Sequence, residues 1–452
     1  MKIPPFLYVI FGLFALFVGW SISVTPYRTP GLMAFQRDAL GNPAQIVDIG
    51  NPDERQHANY ISYLLREKSL PVIVPGDPNL GEMYQSHQAP LYYLVACILG
   101  DPTTPGGEKT RYLSLLFGLG SVVAIYFFGR IASGREDVGL ACAAFCLLPG
   151  FTMLQGAISN DPLLIFLCSA AMAVMAQIVC VGRTSRLLLA AGVLVGLAIL
   201  TKTSGLMLIP VLFLALFLAR GQEEKASPLL AIVPSLLLPL PFFVRNTQLY
   251  GDPLGQKVFR EAFTGNPYAS MFIEGMGAQA YWTQMVGWWT SRSFVGAFGY
   301  MDIFYSVNLY RIAFALIFLC LVGWLIANRK QEEAPSRPAI YCATALILFA
   351  ALLFVQFNLI YFQGQARYLL PAAVGIFFFL GVGIQGWFGK EKPYGWMVAV
   401  GILSALQIYT LTSVLPMEFE RRKLALNIRP INVVSNIFQI NIPTTSITNQ
   451  LD

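Results

Sequence analysis

Apolar runs recur along almost the whole of this 452-residue chain, and short polar connections separate them. Phe11–Val24, Leu187–Leu200, Ile312–Ala327 and Ala339–Val355 are examples. Each lies in a segment near the ~20 residues that a membrane-spanning helix needs. The connections Gly129–Asp137, Gly182–Arg186, Arg220–Ser227, Asn328–Arg337 and Gly389–Pro393 each carry basic residues, and Lys2 precedes the first run. Placing all of them in the cytoplasm gives one consistent map. Spans are predicted near 5–24, 110–129, 138–156, 161–181, 187–201, 205–219, 228–244, 309–327, 338–360, 367–388 and 395–415. The fold class is all-α polytopic membrane protein with about eleven transmembrane helices, the N-terminus inside and the C-terminus outside. Ala89–Gly100, only ~12 residues, is too short to cross and reads as a re-entrant or interfacial helix.

This map leaves three regions outside the cytoplasm: Thr25–Lys109, Arg245–Tyr310 and the tail from Pro416. The transmembrane domain is thus 1–415, with outer loops 25–109 and 245–310, followed by the extracytoplasmic tail 416–452. In the first loop Tyr60, Ile61, Leu64 and Leu65 recur at helical spacing within Asp53–Lys68, predicting an amphipathic helix on the membrane surface. In the second, Tyr281, Trp282, Trp288 and Trp289 form an aromatic cluster suited to the interface. The tail is predicted to be extended or partly disordered.

Composition supports the membrane reading: 56% of residues are hydrophobic and 12% are charged, about half the charge of a soluble domain. The net charge of +6 is spread over loops, where the positive-inside bias accounts for it, and does not indicate nucleic acid. All seven cysteines lie in apolar segments, as packing residues do.

The chemistry begins at Asn51-Pro52-Asp53-Glu54-Arg55-Gln56-His57. Two adjacent carboxylates open the first long polar segment, and His57 lies one helical turn after Asp53. The plain role for Asp53 is to cap a helix N-terminus. A capped carboxylate can still act as a general base. His57 and His87 are the only histidines, and both fall in this loop. A carboxylate and a histidine four apart supply only half a metal site, so no cofactor is assigned, and a divalent metal at His57 with Asp53 or Glu54 is kept as the lesser alternative. Lys202, Arg245, Arg292 and Arg367 fall on the outer side of the map, against the positive-inside bias. Converging there, they would suit a lipid-linked phosphate. Asp161 precedes Pro162 at the start of a span, a capping position, and Asp252 in Tyr250-Gly251-Asp252-Pro253 reads as a turn residue.

Seven motifs then follow one another in order. They are Pro52-Asp53-Glu54 with His57 and Tyr60; Ser86-His87-Gln88-Ala89-Pro90-Leu91-Tyr92-Tyr93; Ser159-Asn160-Asp161-Pro162-Leu163-Leu164; and Leu200-Thr201-Lys202-Thr203-Ser204-Gly205. Next come Arg245-Asn246 with Tyr250-Gly251-Asp252-Pro253; Ser293-Phe294-Val295-Gly296-Ala297-Phe298-Gly299; and Gln365-Ala366-Arg367-Tyr368-Leu369-Leu370-Pro371. Together they resemble the GT-C superfamily of polytopic glycosyltransferases. The likeness is to the branch of protein O-mannosyltransferases and bacterial aminoarabinose–lipid A transferases. Gln88-Ala89 departs from the two prolines usual there.

The resemblance implies an inverting transferase that moves a sugar from a polyprenyl-phosphate carrier to an extracytoplasmic hydroxyl on glycan, lipid or protein. It implies a place in the bacterial inner membrane, with the site on the periplasmic side. Asp53 is the expected base, with Glu54 sharing or assisting. Lys202, Arg245, Arg292 and Arg367 are expected on the donor phosphate, and His57, His87, Asp161 and Tyr60 on the acceptor. Two other classes fit the composition. An O-antigen ligase or polymerase, using a diphosphate-linked donor, would carry a histidine in a late outer loop, and the second loop has none. A transporter or flippase of lipid-linked sugar would carry charges within its spans, and almost none lie deep there.

Overall fold

The computed structural model describes residues 4–37, 41–219, 226–329 and 335–423. Among these, seven helices are long and apolar enough to cross a membrane: Pro5–Val24, Gly107–Ser133, Asp161–Cys180, Leu229–Tyr250, Val307–Arg329, Arg337–Ile360 and Gly395–Arg422. Three shorter apolar helices, Ser185–Thr201, Thr203–Leu218 and Leu370–Gly386, fall on three further predicted spans. The predicted span 138–156 is not one helix. It is Glu136–Ala144, a 3₁₀ turn Phe145–Leu147, and Pro149–Leu154. The break has a local cause: Leu148 precedes a proline and takes extended backbone, φ −62° and ψ 128°, as residues before proline prefer.

The 161–180 helix is the hub, with 67% of its apolar window buried, against 17% for Val307–Arg329 at the periphery. Close packing between the helices Val307–Arg329 and Leu370–Gly386 relies on small residues. A Cβ on Gly383 would sit 1.9 Å from the Cys320 carbonyl oxygen, and one on Gly323 would sit 2.1 Å from the Gly383 oxygen. Only glycine lets these two helices cross so closely.

The outer segments pack against one end of the bundle. The predicted amphipathic helix forms over Glu54–Glu67 and buries Glu54, His57, Ala58, Tyr60, Ile61 and Leu64. Protein covers this face: Tyr60 stacks on Tyr93 of the short helix Leu91–Ala96, with ring centroids 3.8 Å apart. The first loop also holds a hairpin the sequence did not suggest, Gly31–Arg37 paired antiparallel with Pro43–Ile46. The second outer loop folds into helices Gln256–Ala262 and Ala269–Met276, a π-helical turn Tyr281–Gly287, and the helix Trp288–Gly296. Asp252 turns the chain as expected, accepting from the backbone N–H groups of Leu254, Gln256 and Lys257. The tail begins as the helix Leu415–Arg422. The predicted extended tail lies, from residue 424 on, outside the described residues.

Candidate active site

The outer segments and the bundle enclose a cavity of about 1750 Å³. Asp53 stands on its wall. It is the residue before the 54–67 helix, yet its side chain makes no capping bond. Its backbone is left-handed, φ 59°, a conformation aspartate tolerates better than most residues and one that clusters at functional sites. The carboxylate meets Arg367, whose Nη2 donates to Oδ2 at 2.6 Å. Burial acts to raise the Asp53 carboxyl, but the charge and hydrogen bond of Arg367 outweigh it and hold the group below its usual range. The Arg367 guanidinium lies over the Tyr368 ring, 5.1 Å from its centroid, and donates to the Tyr368 hydroxyl at 3.2 Å.

A second ion pair lies beside the first. Lys202 sits where the 185–201 helix breaks into extended backbone before the 3₁₀ turn Thr203–Met207. Its Nζ reaches Asp161 Oδ1 at 2.6 Å. Asp161 is the first residue of the hub helix; the cap position is Asn160, which makes no side-chain capping bond. Lys202 also lies over the Tyr368 ring, at 5.5 Å. Two cations and two carboxylates thus meet around one tyrosine.

His57 lines the same cavity, and its Nδ1 is 2.8 Å from the Tyr93 hydroxyl. Burial pushes its pKa down to about 3, against the pull of Asp53 and Asp161. His87 also lines the cavity, but both its nitrogens are engaged. Nδ1 donates to the Tyr84 carbonyl at 3.0 Å, and Nε2 accepts from the Gln88 amide at 2.8 Å. Tyr60 is 1% exposed. It supports Tyr93 by stacking and donates to the Gln88 carbonyl at 3.3 Å.

The remaining predicted cations divide. Arg292 lines the cavity, stacked on Trp288 at 3.8 Å, and has no carboxylate partner among the described residues. Trp288 and Trp289, expected in an interfacial belt, stand in the cavity wall with Phe304. Arg245 points elsewhere. It donates to the carbonyls of Leu70 and Pro71 at 3.2 and 2.8 Å, tying the first outer loop to the 240–250 helix.

Glu54 turns away from the cavity. Arg111 grips it from Nε and Nη2 at 2.8 and 2.6 Å, and the Ile158 N–H donates at 2.8 Å. Arg111 also donates to the carbonyls of Ile22, Thr25 and Pro26. This geometry gives Glu54 no access to a substrate. It joins the Asp53 turn to the loop that leads into Asp161.

Several cavity residues were not singled out in the sequence. Tyr84 and Tyr300 line the cavity, and burial, with Asp53 nearby, raises both phenols. In the cavity lining, Arg422 pairs with Asp302 at 2.8 Å and with Glu418 at 3.1 Å. Their only sequence signal was two arginines following the last apolar run.

The model of the dolichyl-phosphate-mannose-protein mannosyltransferase family matches residues 104–226, which include Asp161 and Lys202. No curated protein matches the chain. Among solved structures, it is similar to ArnT from Cupriavidus metallidurans bound to undecaprenyl phosphate. The identity is 16% and the TM-score 0.54, over 89% of this chain and 64% of that one. Apo ArnT from the same organism gives 17% and 0.51, over 84% and 59%. The apo oligosaccharyltransferase of Archaeoglobus fulgidus gives 12% and 0.51, over 91% and 55%. The chain therefore spans less than two thirds of the length of each of these structures. It has the GT-C fold, the architecture of the polytopic glycosyltransferase superfamily that its motifs resemble.

Proposed function

We propose that this chain is an inverting glycosyltransferase that takes a sugar from a polyprenyl-phosphate carrier and passes it to a hydroxyl outside the cytoplasm. The observation that carries the reading is the cavity itself. Asp53, Lys202, Asp161, Arg292 and Arg367 line it together with apolar and aromatic walls. Phosphate, sugar hydroxyls and a prenyl chain each find a matching surface there. The undecaprenyl phosphate bound to ArnT supports the choice of carrier.

In the reaction, the acceptor oxygen attacks the anomeric carbon and the bond from that carbon to the phosphate oxygen breaks. The phosphate leaves with the electron pair, and the hydroxyl proton passes to Asp53. Phosphate is a weak base, so no strong acid is needed, and the cations stabilise its growing charge. The Asp53–Arg367 pair gives the site an order of events. In the resting pair Arg367 holds the carboxylate charged but weakly basic. An arriving phosphate competes for Arg367. Asp53, losing its cation in a buried place, becomes a stronger base once the donor is seated. Arg292, stacked and without a carboxylate among the described residues, is open to phosphate from the start. The site lies, on this reading, at the periplasmic face of a bacterial inner membrane.

The test is direct. Purified protein in lipid nanodiscs is incubated with radiolabelled polyprenyl-phosphate sugars and extracts of envelope glycan and lipid. Sugar leaving the carrier for an acceptor supports the reading. Transfer only from diphosphate carriers, or carrier crossing the bilayer with its sugar intact, replaces it with one of the other two classes.

A further inference from the structure

We propose that the two histidines are locked as opposite neutral tautomers, and that Tyr93 is a positioning residue that turns the His57 Nε2–H into the cavity to orient the acceptor hydroxyl toward Asp53. What this N–H acts on rests on the transferase reading; where the proton sits does not.

Tyr93 is fully buried, and its hydroxyl has one partner among the described residues, His57 Nδ1 at 2.8 Å. A buried hydroxyl whose proton points at nothing is costlier than one whose lone pairs go unused. The Tyr93 O–H therefore donates, His57 Nδ1 accepts, and the ring proton sits on Nε2. Tyr93 cannot easily turn aside, because Tyr60 stacks on it at 3.8 Å and 17° and is itself tied to the Gln88 carbonyl. His57 Nε2 has no partner among the described residues, and the residue lines the cavity. The charged groups facing His57 come from four elements. They are Asp53 in the turn before its own helix, Asp161 on the hub helix, Lys202 at its helix break, and Arg367 in the turn Ala366–Tyr368. Their charges cancel in pairs, so nothing there calls for an imidazolium, and burial keeps the ring neutral.

His87 is the mirror case. The Tyr84 carbonyl can only accept, so Nδ1 carries the proton. Nε2 then accepts from Gln88, whose Oε1 in turn accepts from Asn160, next to Asp161.

The consequence for transfer follows from the shape of a hydroxyl, which has one proton and two lone pairs. Asp53 takes the proton only if the hydroxyl points it that way. A donor on the oxygen's other side occupies a lone pair and leaves that orientation favoured. A neutral donor does this without the positive charge that would weaken the nucleophile. The opposite tautomer would offer an acceptor and compete with Asp53 for the proton.

The chain has only two histidines, so ¹⁵N-histidine labelling gives two ring systems to read. Correlations between ring nitrogens and carbon-bound ring protons separate Nε2–H from Nδ1–H. The full-length protein in nanodiscs at pH 7 is expected to show one of each. The His57→Gln spectrum identifies which ring is which. Tyr93→Phe is expected to move His57 toward the Nδ1–H form and leave His87 unchanged. Two histidines of the same tautomer, or a charged His57, would overturn the assignment. Should Tyr93→Phe fail to fold, the unsubstituted protein still decides it. In the transfer assay His57→Gln, whose amide N–H falls near the Nε2 position, is expected to retain about tenfold more activity than His57→Asn. Equal activity of the two would remove the orienting role. No transfer by the unsubstituted protein would sink the transferase reading and leave the ¹⁵N result to stand on its own.

Discussion

Asp53 and Glu54 are neighbours in the chain, and each meets an arginine at 2.6 Å, yet their ion pairs differ in nearly every other respect. Glu54 and Arg111 are sealed, with side chains 0% and 1% exposed. Their remaining bonds go to backbone carbonyls, the Ile158 N–H and Asn51. Asp53 and Arg367 are 20% and 14% exposed on a cavity wall, and Arg367 Nε is buried without a partner among the described residues. A saturated pair has nothing left to offer a ligand, and breaking it strands a charge. An unsaturated pair on a cavity can exchange partners. On the proposed function, completeness of bonding, more than charge or spacing, is what would separate scaffold from site here.

The comparison breaks most sharply at Asp53. Asp53→Asn keeps the shape and removes the base, so transfer is expected to fall by roughly 10²–10⁴-fold. Thermal stability and binding of carrier lipid should stay close to those of the unsubstituted protein. Full activity in this variant would end the base assignment. Arg111→Ala should act the other way, through the fold. It leaves the Glu54 carboxylate buried and uncompensated, at a cost of about 3–5 kcal/mol. A large drop in unfolding temperature in detergent is the expected reading. An unchanged melting curve would show that the sealed pair is not scaffold.

Arg367→Ala sharpens the same contrast with a pH profile. In the unsubstituted protein the Asp53 pKa is lowered. The base form is lost only as pH falls through that lowered value. The kcat/KM for the donor, which reports the free enzyme, is expected to stay flat on acidification down to the ordinary aspartate value of ~3.9. Without Arg367, the largest opponent of burial is gone and the Asp53 pKa rises. The acid limb should move to higher pH, and donor affinity should fall by about tenfold or more. An unmoved limb would mean that Arg367 does not tune Asp53.

Much of this frame was legible in the sequence. Long apolar runs flanked by basic loops marked the helices, and an amphipathic helix within Asp53–Lys68 followed from its spacing and forms over Glu54–Glu67. The split between Asp53 and Glu54 was not legible. It depends on a left-handed turn at Asp53 and on Arg111, 57 positions further along the chain. The break at Leu148–Pro149 could have been read from the residue-before-proline rule, but a continuous apolar run masked it. Trp288 and Trp289 carried the composition of an interfacial belt. Only the folding of the second outer loop placed them in the cavity wall.

The smallest effect is expected where two cations that looked alike prove different. Arg245 and Arg292 both stood as phosphate ligands by sequence. Arg245 now spends its guanidinium on the carbonyls of Leu70 and Pro71, as Arg111 does on its own carbonyls, while Arg292 stacks on Trp288 at the cavity. On the proposed reading, these partners are expected to put Arg245 with the scaffold and Arg292 with the site. Arg245→Gln should cost about 1–3 kcal/mol of stability, the range for lost charged hydrogen bonds, and leave the KM for the carrier-linked donor unchanged. Arg292→Gln should raise that KM with little change in the melting curve. Measuring both variants in one assay decides the matter. A raised donor KM in Arg245→Gln alone would return Arg245 to the phosphate and show that a cation bonded to backbone carbonyls can still let go of them for a ligand.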